Sequence, residues 1–407
     1  MKRTIRDVRP WGGERSDVEL DSDRIAALRP HDPSARAEGD VVEGRGRLLL
    51  PSFADAHVHL DSNRLGLPFR PHSGSPGILN MVMNDRRHWR SAEWSVARRA
   101  THALGLMIAR GATRVRSYAQ IDSDSGLERF EGVLAAKQAH AGRCDVEVVA
   151  FPQAGLVRDP GTLPLLEASL REGADSVGGI DPCELDQDPV RHLDLVFGLA
   201  EKHQVPVDIH LHEPGDLAVW TTRLILERTR ACGMQGKVSI AHGYALGGVS
   251  EATTARLIDE LAELDVSMTT VAPSIGTALP LERLVEAGIR VGLGQDGQRD
   301  YWSPFGNADM LDRTWQLAFI NEYCADALVE LCVAVATIGG RSVMDAAAPR
   351  LGAGERRPGT AAGDAADLVI VAGETVTSAV MDRPDDRTVL HRGRVVADRL
   401  ALLDVSS

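Results

Sequence analysis

The stretch Leu48-Leu49-Leu50-Pro51-Ser52-Phe53-Ala54-Asp55-Ala56-His57-Val58-His59 decides the reading of this chain. Its apolar run predicts a buried strand, and side chains two apart on a strand project to the same face. His57 and His59 therefore leave the strand end together and can chelate one cation. Two histidines separated by one residue also occur in surface loops, so the pattern gains meaning only when further ligands are found.

Working outward, seven more strand-like runs follow at 112–118, 146–151, 176–180, 205–211, 237–242, 266–271 and 289–294. Stretches of helical composition lie between them, including 91–110, 163–172, 192–202, 217–232 and 253–264. Gly111, Gly173, Gly236 and Gly288 stand where helices should stop before a strand. Eight alternations predict an α/β fold, a (β/α)8 TIM barrel, with an open doubly wound sheet as the structural alternative. Residues 1–50 and 347–407 read as short strands with turn glycines such as Gly393. They are expected to form a small β-sandwich from both chain ends, with residues 51–346 as the barrel. The segment from Asp61 to Trp89, rich in Pro, Gly and Arg and without a clear period, is a candidate lid.

At 407 residues and 43% hydrophobic content the chain can bury a large core. A net charge of −13 argues against nucleic acid or an anionic membrane as partner, since either needs a basic face. A small-molecule substrate is easier to reconcile, and a homo-oligomer is left open. Five scattered cysteines without a CxxC pair favour reduced thiols. The charged start lacks the apolar core of a signal peptide, and no run of about 18 apolar residues suggests a membrane span. Together these point to a cytoplasmic protein.

The chemically distinctive residues fall at the carboxyl ends of the expected strands. His57 and His59 close the first, Gln153 follows the third, His210 and His212 close the fifth, His242 closes the sixth, and Asp296 follows the eighth. In a closed barrel these ends share one face. A set of imidazoles with one carboxylate suits a single divalent ion, Zn²⁺ or Fe²⁺, with a position left for water, which then deprotonates near neutral pH. Asp296 is expected as ligand and base. His242 is expected to polarise or deprotonate the water, and Glu213 to donate a proton from a site shielded from bulk water. A binuclear site bridged by a carbamylated lysine is disfavoured, because no lysine lies at a candidate strand end and Lys202 is upstream of the fifth strand.

These residues together resemble the amidohydrolase superfamily, in particular its cytosine deaminase-like branch. Pro51 to His59 is similar to the superfamily's first-strand motif, with Ser52 where glycine is usual. Val149-Ala150-Phe151-Pro152-Gln153 resembles the branch's substrate-amide motif, and Gly294-Gln295-Asp296 with Asp300 to Asn307 its last-strand segment. Gly363 to Val369 resembles its closing β motif. The resemblance implies His57, His59, His210 and Asp296 as metal ligands and Glu213 and His242 as proton carriers. It further implies Gln153, Trp302 and His212 as substrate contacts. The implied activity is hydrolytic deamination of an amino-substituted N-heterocycle, a cytosine-like pyrimidine or related ring.

The segments Val177 to Pro182 and Arg299 to Trp302 also resemble N-isopropylammelide isopropylaminohydrolase. That likeness implies the alternative of alkylamine removal from a triazine, and opening of a cyclic amide is a further one. Glu213, which that relative lacks, tilts the expectation towards release of ammonia. Gly297 stands where cytosine deaminases carry a second acidic residue, which implies more room and one charge fewer at the ring's far edge.

Overall fold

A computed structural model of the chain describes residues 2–36, 39–273, 278–352 and 357–404. The N-terminal part forms β1 (Lys2–Pro10), β2 (Ser16–Asp21), β3 (Arg24–Pro30) and β4 (Asp40–Pro51). The middle carries β5 (Phe53–Val58), β6 (Ala112–Gln120), β7 (Asp145–Phe151), β8 (Ser176–Ile180), β9 (Val207–Leu211), β10 (Val238–His242), β11 (Ser267–Thr270) and β12 (Val291–Leu293). The chain then adds β13 (Leu368–Val371), β14 (Arg387–His391), β15 (Arg394–Asp398) and β16 (Ala401–Leu402).

Strands β5 to β12 lie in sequence order, each parallel to the next, with helices between them. The ring closes where the last strand returns to the first. The Asp296 N–H donates to the His57 carbonyl at 2.8 Å, and Val58 makes an isolated parallel bridge to Asp296. This is the expected TIM barrel. The four glycines read as helix stops all have positive φ, as that role requires.

The two chain ends share the second sheet, in the order β16-β15-β14-β13-β4-β1-β2-β3. It folds over on itself. The Ile25 N–H donates to the Asp364 carbonyl at 2.9 Å and the Gly363 N–H to the Ile25 carbonyl at 2.8 Å. Enclosed between its halves are Ile5, Val18, Leu49, Leu368, Ile370 and Leu390, a β-sandwich core. Alternation along β4 then does two jobs, because Leu49 enters this core while Leu48 and Leu50 join the barrel's.

Two expectations about local structure are corrected. The run from Leu48 to Ala56 is two strands, since β4 ends at Pro51 in the sandwich and β5 begins at Phe53 in the barrel. Ser52 is the junction. Its N–H donates to Asp367 of the sandwich at 2.9 Å, and its hydroxyl lies 2.6 Å from that of Thr113 in the barrel. Both halves are buried, so hydrophobicity alone carries no mark of the crossing. The second correction concerns the segment from Asp61 to Trp89, which contains a helix, Ile78–His88. Its buried side chains are Val82, Asn84 and Asp85. Asn84 donates to the Tyr301 carbonyl at 2.8 Å, and Asp85 is paired with the buried Arg129. A buried face made of amides and carboxylates hides the apolar period by which a helix is read.

The helical segment Asp326–Met344 includes a π-turn at Val335–Gly339 and packs across the seam between β5 and β12. Among the described residues it is the one helix long and apolar enough to cross a membrane, and 72% of it is buried inside the protein. Glycine permits its approach. A Cβ at Gly340 would lie 2.4 Å from the Ala54 carbonyl oxygen, and one at Gly339 2.3 Å from that of Val291. Gly340→Ala is therefore expected to destabilise the fold by about 1–3 kcal/mol, as overpacking does. A chemical denaturation midpoint equal to that of the parent chain would show that the seam can open without cost.

Candidate metal centre

Each expected site residue except Trp302, which lies further along the loop after β12, stands at or just past the end of a barrel strand. His57 lies in β5 with His59 beyond it, His210 in β9 with His212 following, and His242 is the last residue of β10. His242 (φ 66°) and Asp296 (φ 61°) occupy the left-handed backbone region. Asp181 after β8 (φ 33°) and Ala272 after β11 (φ 51°) do so as well. Such conformations cost non-glycine residues about 1–3 kcal/mol each and gather where geometry matters more than stability.

Nitrogen and oxygen atoms converge at this end of the barrel. The Nε2 atoms of His59 and His210 are 3.4 Å apart, and Asp296 Oδ1 lies 3.3 Å from His59 Nε2 and 3.6 Å from His57 Nε2. Ligand atoms of His57, His59 and His210 all fall within 4.8 Å of one another, as do those of His57, His242 and Asp296. Tetrahedral bonds of about 2.0–2.1 Å to zinc place neighbouring donors about 3.3–3.4 Å apart, as His59 stands from His210 and from Asp296. Three buried ring nitrogens, His57 Nε2, His210 Nδ1 and His242 Nε2, have no hydrogen-bond partner among the described residues. Buried polar atoms are rarely left so. The donor set fits a single divalent ion.

Electrostatics prepare these groups for that role. Burial pushes His57 down to about 4 and holds His210 and His242 well below the usual imidazole range, so their rings stay neutral. Neutral imidazole is the form that ligates. Burial also works against a charged His59, but the Asp296 carboxylate outweighs it and raises that ring. Asp296 is held well below the carboxylate range, because His57 and His59 overcome the upward push of burial. Thr269 Oγ1 lies 3.5 Å from His57 Nδ1, an acceptor that favours the proton there and leaves the Nε2 lone pair facing the centre.

A cavity of about 270 Å³ opens above these ligands, lined among others by His59, Gln153, His210, His212, Asp296 and Trp302. Eight of the nine expected site residues therefore either line the cavity or, like His57 and the buried His242, lie directly among the converging rings, with His242 4.0 Å from His212 between centroids.

Glu213 is placed differently. Its carboxylate accepts from the Cys183 N–H at 2.7 Å, the Glu184 N–H at 3.1 Å and the Thr221 hydroxyl, and it does not line the cavity. Burial raises its pKa, but its oxygens are occupied in holding the loop after β8 against the helix Gly215–Ala231. The room expected over Gly297 is also taken. A Cβ there would lie 2.0 Å from Asp300 Oδ2.

Two carboxylates inside segments quoted for their family likeness were given no site role by the sequence reading. Asp181 Oδ2 lies 2.8 Å from His212 Nδ1, and Asp300 lines the cavity. The strand-end rule would have found Asp181, which directly follows β8. No spacing rule would have found Asp300, which returns from a loop.

Residues 79–397 match the sequence profile of the amidohydrolase family. The chain belongs to the amidohydrolase family. It is thereby a hydrolase acting on C–N bonds, of a family that binds divalent metal. A crystal structure of N-isopropylammelide isopropylaminohydrolase from Burkholderia multivorans ATCC 17616 is 34% identical, with a TM-score of 0.89, covering 99% of this chain and 100% of that one. YahJ of Escherichia coli (strain K12) is 31% identical over 303 residues, which span 74% of this chain and 65% of that protein. The fold is shared with 5-methylcytosine deaminase from Klebsiella pneumoniae, at 24% identity and a TM-score of 0.79, covering 100% and 99% of the two chains.

Replacing His210 by Ala removes one of the three ring nitrogens of the His57, His59 and His210 cluster. Metal analysis after dialysis against a chelator buffer that leaves the parent amidohydrolase loaded should find this variant largely empty. Equal occupancy would exclude His210 as a ligand.

Proposed function

We propose that this amidohydrolase is a mononuclear enzyme that hydrolytically displaces an exocyclic amine from a nitrogen heterocycle, a cytosine-like pyrimidine, a triazine or a related ring. The observation that carries the reading is the convergence of His57, His59, His210 and Asp296 at the floor of a cavity whose wall includes Gln153 and Trp302. A floor of metal ligands beneath an amide-bearing, aromatic wall suits a planar ring with polar edges. The four residues are assigned as ligands of one Zn²⁺ or Fe²⁺. When bound, that ion supplies Lewis acidity, lowering the pKa of water to about 7.

The chain's own groups would divide the remaining work. Asp296 takes the proton from the attacking water on a carboxylate oxygen, with His242 beside it orienting the oxygen. Gln153 pairs its carboxamide with an amide or amidine edge of the ring, and Trp302 packs against the ring itself. Oxygen bonds to the ring carbon, the C–N bond to the amine breaks, and the amine departs with one added proton. His212 is the better-placed donor of that proton. Burial disfavours a charged His212, but Asp181 at its Nδ1 outweighs this and raises the ring, so the protonated imidazole carries Nε2–H for the cavity side, whereas Glu213 would first have to leave three donors.

Release of ammonia and release of an alkylamine are the two readings. The placement of Glu213 removes the argument that favoured ammonia. Likeness to the B. multivorans enzyme across the whole chain favours an alkylamine. The proposed setting is the cytoplasm, where five free thiols would stay reduced.

Assaying ammonia and alkylamine release across aminopyrimidines, aminotriazines and pterins, on metal-loaded protein, decides between them. Activity is expected to disappear with a chelator and return with added metal, and no release from any ring by loaded protein would overturn the reading. His212→Ala should lower kcat by about 10²- to 10⁴-fold, the usual contribution of a proton donor. Glu213→Gln should stay within a few fold. The reverse order of effects would return the donor's role to Glu213.

A further inference from the structure

Asp300 is a buried carboxylate at the cavity wall, 8% exposed, that no cationic side chain pairs with among the described residues. Its Oδ1 accepts the backbone N–H of Trp302 at 2.8 Å and of Ser303 at 2.9 Å. Among the described residues its Oδ2 accepts only the Ser62 hydroxyl, at 3.1 Å. A carboxylate removed from water without a cation is costly unless donors surround it, and Oδ2 retains capacity for another. The same oxygen occupies the volume that any side chain on Gly297 would need, 2.0 Å from the Cβ position. An acidic group has therefore not been lost from this edge of the cavity. It arrives from three residues further along the loop, and glycine at 297 is what admits it.

We propose that Asp300 is a specificity-determining residue that accepts a hydrogen bond from an N–H on the edge of the bound ring. The proposal rests on the heterocycle reading above and narrows it to rings that carry an N–H at that edge. Rings alkylated there would leave the carboxylate buried and unmatched. The discrimination should be about 10- to 100-fold, typical of losing a hydrogen bond to a charged group.

The test compares rings that differ only by N–H against N–CH3, using metal-loaded protein. Aminopyrimidines and aminotriazines with their ring-N-methylated counterparts read kcat and KM. Uracil and its N-methyl derivatives, which have no amine to lose, read binding by calorimetry without turnover. The parent chain should prefer the N–H member at one ring position by about 10-fold or more, mainly through KM. Asp300→Asn keeps an oxygen for the Trp302 and Ser303 N–H groups but presents either a weaker acceptor or a donor to the ring. It should lose the preference while melting temperature and metal content stay unchanged.

A second variant guards against a loop-holding role alone. Gly297→Asp should lose ring binding through its clash with Asp300, and Gly297→Asp combined with Asp300→Gly should regain both binding and the N–H preference. An Asp300→Asn protein that discriminates as the parent does, in binding and in turnover, would overturn the proposal. If no ring is turned over but the binding preference depends on Asp300, the functional reading fails and this contact stands.

Discussion

Everything at the candidate metal centre depends on the seam where the last barrel strand meets the first. Asp296 reaches His57 and His59 only because its own N–H is bonded to the His57 carbonyl and because Gly294 brings no side chain into the gap. A Cβ at Gly294 would lie 2.4 Å from both the Cβ and the carbonyl oxygen of His57. Closure of the barrel and assembly of the ligand set are thus one event. The glycine-backed helical segment Asp326–Met344 presses on the same seam from outside, so strand closure is supported on both faces.

That arrangement concentrates imidazoles in a volume where no water can solvate their protonated forms. Burial keeps His57, His210 and His242 neutral, while the single carboxylate of Asp296 is held ionised by the rings around it. The result is one carboxylate paired with His59 beside three neutral imidazoles, a donor set that suits a cation. Left-handed backbone at His242 and Asp296 indicates that local conformational comfort has been given up for this placement.

Acidic groups beyond the ligands serve unlike purposes that proximity alone would not separate. Glu213 follows His212 in the chain yet spends its oxygens on backbone N–H groups and a hydroxyl, fixing a loop. Asp181, from the preceding strand, is the partner His212 actually has. Asp300 crosses over Gly297 to the cavity wall. Membership in the amidohydrolase family accounts for hydrolysis of a C–N bond, and under the proposed function the choice among rings would be made at this wall.

The sequence by itself determined the barrel and the side of the fold on which the candidate ligands meet. Strand periodicity, helix-stop glycines and the rule that barrel strands end on one face are local or topological, so they can be read along the chain. His57, His59, His210, His242 and Asp296 were legible for that reason. What tertiary structure decided was direction and occupancy. The split of Leu48 to Ala56 at Ser52 was hidden because both halves are buried and differ only in which sheet they join. The helix Ile78–His88 was hidden because its buried face is polar and partnered from distant loops. The hydrogen-bond partners of Glu213 and the position of Asp300 were hidden because a carboxylate's surroundings come from segments or loops that no local pattern specifies.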